Sequence, residues 1–275
     1  MSMTTSPAMH EELLHELETI FLPETDGVPL ENIWHRKNIY LLCDSLENHW
    51  LDRHDFFIGG NMCVYYSLIQ AKNRDFLGPD VFVVQGVDRD KPRQVWATWR
   101  EDNRGLDVVI ELLSPTTGTH DLTDKKDLYE QKLHTKEYFC YDPETHTVMG
   151  WRLDSRHRFQ KIEPASDGRL WCEELGLWLG TWEGLYGAVY DTWLRWFDAD
   201  GNLCLLLDES EARRADAATE RADAETERAN AATERAKTAT ERANAEAQRA
   251  AKAEAELERL RAQLAAGIPS AVQEK

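Results

Sequence analysis

Residues 78–84 read Gly-Pro-Asp-Val-Phe-Val-Val, and residues 108–113 read Val-Val-Ile-Glu-Leu-Leu. Short apolar runs of this kind are typical of strands that are buried on both faces of a sheet. An acidic residue interrupts each run, Asp80 near the start of the first and Glu111 inside the second. Because a charged side chain in a buried strand is costly unless it is paired, hydrogen-bonded or metal-bound, these two residues are the first candidates for a functional site.

The sequence around these runs predicts a mixed α/β domain in which helices flank a sheet. The spacing of apolar residues predicts helices over 31–47 and 121–133. Strands are predicted at 56–58, 62–66, 81–84, 108–113, 137–141 and 147–153. Gly59-Gly60 predicts a tight turn between the first two strands. Residues 171–207 are expected to add strands and turns to this core, with a final hairpin that turns at Asp200-Gly201.

The composition changes sharply near residue 210. All ten tryptophans lie between Trp34 and Trp196, whereas Thr-Glu-Arg-Ala recurs every seven residues through 219–243. No Gly or Pro occurs there before Gly267, so one long helix is predicted. The predicted domains are an N-terminal arm at 1–29, a globular domain at 30–208 and a helical tail at 209–275.

The heptad seam of this tail is built mainly from alanine, which buries little area. Glu225 and Glu246 interrupt its second row, and only the end with Leu257, Leu260 and Leu264 is typical of a coiled-coil zipper. Two interpretations therefore stay open, weak self-association of the chain through the tail and a solvated single helix.

Charge and cysteine content limit the class of protein. The formal net charge of −18 falls almost entirely on the first 210 residues, which carry 37 acidic and 20 basic residues. Such a domain should not bind phosphate backbones non-specifically, so any nucleic-acid role needs a local cleft or a bound cation. The five cysteines form no CxxC pair, which argues against a disulfide scaffold or a structural zinc site and favours the cytoplasm. No run is apolar enough to predict a membrane helix or a secretory signal.

The two buried carboxylates could meet across a sheet and share a divalent cation through their oxygens. The alternative is that each caps a strand end or pairs with a nearby arginine. Asp121, Lys125 and Tyr129 follow at helical spacing and share one face of the predicted helix, which could direct a lysine towards the carboxylates. A lysine near a metal-bound water can orient the water and stabilise charge on a phosphate. The alternative for these residues is a solvated Asp–Lys pair.

The order of these motifs resembles a large family of bacterial restriction endonuclease-like proteins, the Uma-two-type family, a branch of the PD-(D/E)XK nucleases. The similarity runs from about residue 30 to about residue 207. The stretches that carry it are Gly-Pro-Asp80-Val-Phe-Val-Val, the Arg93…Trp96…Trp99…Glu101 segment, Val-Ile-Glu111-Leu-Leu-Ser-Pro-Thr-Thr, Asp121…Lys125-Lys…Tyr129 and Glu137-Tyr-Phe…Tyr141-Asp-Pro. The resemblance implies a restriction-endonuclease-like mixed sheet flanked by helices, followed here by the long C-terminal helix.

The resemblance also implies a site. Asp80 and Glu111 match the two acidic positions, but Leu113 stands where the usual lysine would be. The lysine is expected on the next helix at Lys125, with Lys126 as the adjacent alternative. Mg²⁺ (or Mn²⁺) would be held by the two carboxylates and the backbone carbonyl of Leu112.

The remaining residues of the implied site have supporting roles. Asp121 would position Lys125, and Tyr129 would pack behind it. Glu31 and His35, one turn apart on the first helix, could add an outer ligand or contact substrate. The implied activity is hydrolysis of DNA phosphodiester bonds by a metal-activated water.

Two other functions stay open. One is a catalytically inactive nuclease-fold module that binds or assembles through the helical tail, and the other is a coiled-coil adaptor whose globular part recognises protein.

Overall fold

Both apolar runs become neighbouring strands in the computed structural model, which describes residues 15–17, 19–24, 33–73, 75–114 and 121–266. The strands are β1 (Phe56–Gly60), β2 (Val64–Tyr65), β3 (Val81–Gln85), β4 (Trp96–Ala97), β5 (Val108–Leu112), β6 (Glu137–Asp142), β7 (Thr147–Leu153), β8 (Phe159–Lys161), β9 (Leu170–Cys172), β10 (Leu177–Tyr186) and β11 (Val189–Phe197). The regular helices are α1 (Ile33–His49), α2 (Leu68–Lys72) and, at the C-terminal end, a helix over Leu207–Ala266.

One helical segment, α3, is irregular. It consists of a π-helical turn (Asp121–Lys125), an α-helical turn (Lys126–Leu128) and a second π-helical turn (Tyr129–Leu133). Turns of this kind are frequent at functional sites because they change which side chains share a face. The C-terminal helix is therefore α4.

Six strands form a mixed sheet in the order β1-β3-β5-β6-β7-β8. β5 and β6 are parallel, and every other neighbouring pair in this sheet is antiparallel. A parallel pair needs a crossover connection, and α3 lies in the connection between these two strands. β9, β10 and β11 form a separate antiparallel sheet, and β2 pairs with β4. The mixed sheet with its helices confirms the predicted α/β class.

The central sheet is buried on both faces, as its apolar runs predict. One face packs against α1 and the β9–β11 sheet, with Ile110, Phe139 and Trp196 among the buried side chains. The other face packs against α3 and includes Val109 and Tyr138. Since side chains alternate along a strand, Glu111 lies on the same face as Val109, towards α3.

The predicted turn at Gly59-Gly60 is wrong. β1 continues through both glycines and pairs with β3, and the chain leaves the sheet at Asn61, whose φ is +48°. A Cβ atom at Gly59 would lie 2.2 Å from the Phe82 ring. Close packing across the β1–β3 pair therefore requires glycine at this position. Of the strand predicted at 62–66, only β2 (Val64–Tyr65) is formed, and it pairs with β4 outside the six-stranded sheet.

The chain divides into two compact units, residues 1–210 and 211–275. Within the first unit, the start of α4 is fixed by the fully buried Arg195, whose Nη2 donates to Glu209 Oε2 at 2.7 Å and to the Cys204 carbonyl oxygen at 2.9 Å. Over residues 211–266, the part of the second unit that the structure describes, the chain is one helix, and its side chains through residue 264 are almost all exposed. Within the described ranges, no helix has both the length and the apolar character needed to cross a membrane.

Candidate metal centre

Asp80 and Glu111 lie side by side at one end of the central sheet. β3 and β5 pair with Val81 opposite Ile110, and the same register continued by one residue sets Asp80 opposite Glu111. Residues that face each other in an antiparallel pair project from the same face of the sheet. The antiparallel pairing of β3 with β5 therefore sets Asp80, which directly precedes β3, beside Glu111 at the end of the sheet.

The Asp80 carboxylate bridges β5 and α1. Its Oδ2 accepts a hydrogen bond from the backbone N–H of Leu112 at 2.7 Å, and its Oδ1 accepts one from His35 Nε2 at 2.5 Å. Because a carboxylate oxygen only accepts, the proton of this second bond lies on Nε2 of the imidazole. The two bonds fix the orientation of the carboxylate at the end of the sheet.

The Glu111 side chain is only 1% exposed. Its Oε1 accepts a hydrogen bond from the Tyr129 hydroxyl at 3.0 Å, and its Oε2 lies 3.3 Å from Lys125 Nζ. Burial raises the pKa of the Glu111 carboxyl from 4.5 to about 8. The Lys125 ammonium opposes this rise, whereas the Asp80 and Asp121 carboxylates add to it. Burial thus favours the protonated form of the Glu111 carboxyl, and the nearby Lys125 ammonium offsets this effect only in part.

Lys125 reaches the carboxylates from the irregular helix α3. Its Nζ lies 2.7 Å from Asp121 Oδ1, and the Tyr138 hydroxyl donates to the Asp121 backbone carbonyl at 2.8 Å, which ties the first turn of α3 to β6. Burial lowers the pKa of Lys125, but the Glu111 and Asp121 carboxylates outweigh that effect and raise it above the ordinary value. Lys125 therefore stays a cation and a hydrogen-bond donor at neutral pH.

The structure brings together most of the residues that the sequence suggested. Six side chains form one connected cluster, those of His35, Asp80, Glu111, Asp121, Lys125 and Tyr129. Their catalytic and metal-binding roles stay predictions.

Two suggested residues are not part of this cluster. Lys126 points its Nζ towards the face of Trp151, 4.7 Å from the ring centroid, so the adjacent alternative to Lys125 lies elsewhere. Glu31 lies outside the described residues.

Tyr129 was expected only to pack behind Lys125, but its hydroxyl binds Glu111 directly. Burial raises the pKa of the Tyr129 phenol well above its ordinary value, so the hydroxyl keeps its proton as a donor. Its position eight residues after Asp121 was a signal for a shared helix face, but the two π-helical turns of α3 decide which atoms it reaches.

Other buried carboxylates of this protein are neutralised by arginine. Three such pairs are Glu101 with Arg93 at 3.0 Å, Glu137 with Arg152 at 2.8 Å and Glu130 with Arg158 at 3.1 Å. Among the residues that the structure describes, neither Asp80 nor Glu111 pairs with an arginine. The cluster instead holds three carboxylates against one lysine and one histidine, a surplus of negative charge that suits a hard divalent cation.

The backbone next to Glu111 offers a third oxygen. Leu113 N–H donates to the Tyr141 carbonyl in β6, so the polar groups of Leu112 face the β3 side. The β3–β5 register, continued by two residues, sets Leu112 opposite Pro79, which has no N–H to donate to the Leu112 carbonyl. In the described part of the chain, no set of three or more His, Cys, Asp or Glu side chains is arranged as a metal site. A cation here would therefore rest on two carboxylates and a backbone carbonyl.

Comparison with known proteins gives one family. The profile of the Uma2 family, described as "Putative restriction endonuclease", matches residues 27–183, more than half of the chain. No curated protein matches the chain significantly. Among solved structures, a crystal structure described as a putative nuclease from Anabaena variabilis is 18% identical in sequence, covers 59% of this chain and 89% of its own, and has a TM-score of 0.38.

Proposed function

The chain belongs to the Uma2 family, and on that premise we propose that it is a divalent-cation-dependent endonuclease that hydrolyses phosphodiester bonds of DNA. The observation that carries the proposal is the contact set of Glu111. This buried carboxylate lies opposite Asp80 in the sheet register, within reach of a protonated lysine, and without an arginine partner among the described residues.

The donor set favours Mg²⁺ or Mn²⁺. Asp80, Glu111 and the Leu112 carbonyl offer oxygen atoms, which these hard cations prefer as ligands. When bound, such a cation polarises the scissile phosphate and lowers the pKa of a coordinated water. The cation also offsets, at this one place, the negative charge of the first 210 residues, which otherwise opposes the approach of DNA.

The side chains around the proposed cation site would orient the attacking water and the carboxylates and stabilise charge on the phosphate. Lys125 Nζ, held by Asp121, is a donor that can orient the attacking water or stabilise negative charge that develops on the phosphate. Since its pKa is raised, Lys125 does not serve as a base at neutral pH. Tyr129 holds the Glu111 carboxylate in one orientation, and His35 does the same for Asp80.

Leu113 occupies the position of the usual lysine, and the structure suggests why a lysine from α3 can replace it. The Leu113 side chain is buried in the apolar core on the α3 side of the sheet, together with Val109 and Tyr129. The ammonium of Lys125 instead approaches Glu111 from α3, the helix that packs against this face of the sheet. Only the position of the ammonium matters for the chemistry, so its origin on a helix is compatible with the proposed role.

The test is nicking of supercoiled DNA by the purified full chain, with and without Mg²⁺ or Mn²⁺. Lys125→Met should lower the nicking rate by about 10²–10³-fold, as loss of a preorganised donor does elsewhere. Lys126→Met is the matched control, because it removes the neighbouring lysine, which lies over Trp151. It should leave the rate unchanged.

Two outcomes would contradict the proposal. Equal nicking rates for wild type and Asp80→Asn would show that any activity lies outside this cluster. Divalent-cation binding without nicking of any DNA form would favour the alternative, a nuclease-fold module that binds or assembles without cleavage.

A further inference from the structure

Residues 219–243 of α4 segregate their charges into two rows. The repeat places a glutamate and an arginine next to each other in sequence, about 100° apart around the helix, where they do not face each other. The acidic row is Glu220, Glu227, Glu234 and Glu241, and the basic row is Arg221, Arg228, Arg235 and Arg242. All eight side chains are exposed.

The rows do not neutralise each other within the helix. Among the described residues, no ion pair joins any of these arginines to a carboxylate, although the pairs of the globular unit are numerous. Arg235 has only Ala231, Ala232, Thr238 and Ala239 at the positions three and four residues away. Opposite charges at those distances would stabilise a single helix. Glu225 lies four residues after Arg221 and three before Arg228, and Glu246 lies four residues after Arg242, but none of these forms an ion pair in the described part of the helix.

A row of small residues lies between the two charged rows. It consists of Ala217, Ala224, Ala231, Thr238 and Ala245. Small side chains allow two helix axes to approach closely. A helix that packs along this row meets the glutamates on one side and the arginines on the other.

This arrangement is complementary to itself when two helices run in the same direction. In a parallel pair with two-fold symmetry, the row on one flank of the contact faces the opposite flank of the partner. The glutamates of each helix then face the arginines of the other on both sides. An antiparallel pair would instead set glutamate against glutamate and arginine against arginine.

We propose that α4 pairs with α4 of a second copy of this chain, parallel and in register, along the row of Ala217, Ala224, Ala231, Thr238 and Ala245. The inference does not rest on the proposed nuclease activity. It moves the contact away from the heptad seam considered first, because there the arginines would face the threonines of the repeat. Those hydroxyls already donate to their own helix, as Thr226 Oγ1 does to the Ala222 carbonyl at 2.9 Å.

Site-specific cross-linking of the full chain tests the position of the contact. Ala224→Cys should form a covalent dimer on mild oxidation, since parallel copies in register set residue 224 against itself. Ala222→Cys, two residues away on the first seam, is the matched control and should not cross-link. Wild type gives the background, because four of its cysteines are buried and Cys43 is half-buried. Cross-linking of Ala222→Cys, or of neither variant, would overturn the proposal.

Charge exchange tests the pairing itself. One variant changes the four glutamates of the acidic row to arginine, and a second changes the four arginines of the basic row to glutamate. Each alone should be monomeric in sedimentation, and an equimolar mixture should recover the dimer, more weakly as salt is raised. Self-association of either variant at the wild-type level would overturn the proposal, since neither row would then lie at the contact.

Discussion

At the scale of single residues, Glu111 carries the largest electrostatic cost of the cluster. Its side chain is almost completely buried, and the nearby Asp80 and Asp121 carboxylates oppose its ionisation. Its neighbours on the same face, Val109 and Leu113, are apolar and buried, so an acid stands here among apolar side chains. A buried acid held in such surroundings is more common at functional sites than elsewhere.

The raised pKa of Glu111 predicts how stability depends on pH in the absence of divalent cations. Between 4.5, the ordinary value, and about 8, the native state binds a proton that the unfolded state has lost. The free energy of unfolding must therefore fall as the pH rises through this range. Glu111→Gln replaces the titrating carboxyl by a neutral amide, so the free energy of unfolding of the variant should match that of wild type near pH 5. Near pH 8 the variant should be more stable than wild type by on the order of 1 kcal/mol or more.

Urea unfolding at the two pH values, with chelator present, measures this difference. Added Mn²⁺ should stabilise wild type near pH 8 and have little effect on Glu111→Gln. The same pH dependence for both proteins would show that the Glu111 carboxyl is ionised in the native state without a cation.

At the scale of elements, the cluster depends on contacts between layers that are far apart in sequence. α1 contributes His35, the β3 end contributes Asp80, β5 contributes Glu111, and α3 contributes Lys125 and Tyr129. The two apolar runs were enough to predict two buried strands, one beginning directly after Asp80 and one containing Glu111. Helical spacing placed Lys125 on one face with Asp121 and Tyr129, and the family resemblance was needed to assign it the place of the usual lysine, with Lys126 as the alternative.

Other features were beyond the sequence for physical reasons. Gly59 was predicted to lie in a turn, because the sequence does not show whether a glycine is required by a turn or by close packing against a ring such as that of Phe82. The hydroxyl contact of Tyr129 depends on π-helical turns that no periodicity in the chain predicts. The His35–Asp80 contact joins residues 45 positions apart and depends on how α1 packs on the sheet.

His35 gives a prediction at this scale, because its hydrogen bond orients the Asp80 carboxylate relative to α1. Loss of a hydrogen bond that orients a metal ligand typically lowers metal affinity by about 10–100-fold. His35→Ala should weaken Mn²⁺ binding by that factor in a calorimetric titration. His49→Ala, at the C-terminal end of the same helix, is the control and should bind Mn²⁺ as wild type does. Unchanged affinity in His35→Ala would remove α1 from the site.

At the scale of the whole molecule, charge and composition separate two kinds of structure. The first 210 residues carry a net charge of −17 and all the tryptophans, and the tail is close to neutral with its charges in rows. The change of composition near residue 210 was readable in the sequence. The anchoring of α4 by Arg195 and Glu209 was not, because an arginine inside a strand normally predicts an exposed side chain.

The acidic first unit predicts an unusual salt dependence for a nuclease. Proteins that neutralise phosphates with lysine and arginine lose DNA affinity steeply as salt rises, because counterions are released on binding. Here long-range repulsion opposes the encounter, and salt screens that repulsion beyond about 10 Å at 0.1 M. At fixed Mg²⁺, kcat/KM for nicking should stay level or rise when monovalent salt is raised from low to moderate concentration. A steep fall over the same range would point to an extended basic surface as the DNA contact.

The measurement that tests the central claim most directly is a calorimetric titration of Mn²⁺ into the full chain, compared with Asp80→Asn and Asp127→Asn. Asp127 is an exposed carboxylate on α3 outside the cluster, so its variant controls for loss of one negative charge. If Asp80 and Glu111 hold the cation, wild type and Asp127→Asn should bind one ion with the same affinity, and Asp80→Asn should show no binding at that site. Binding of equal strength in all three proteins would contradict the account.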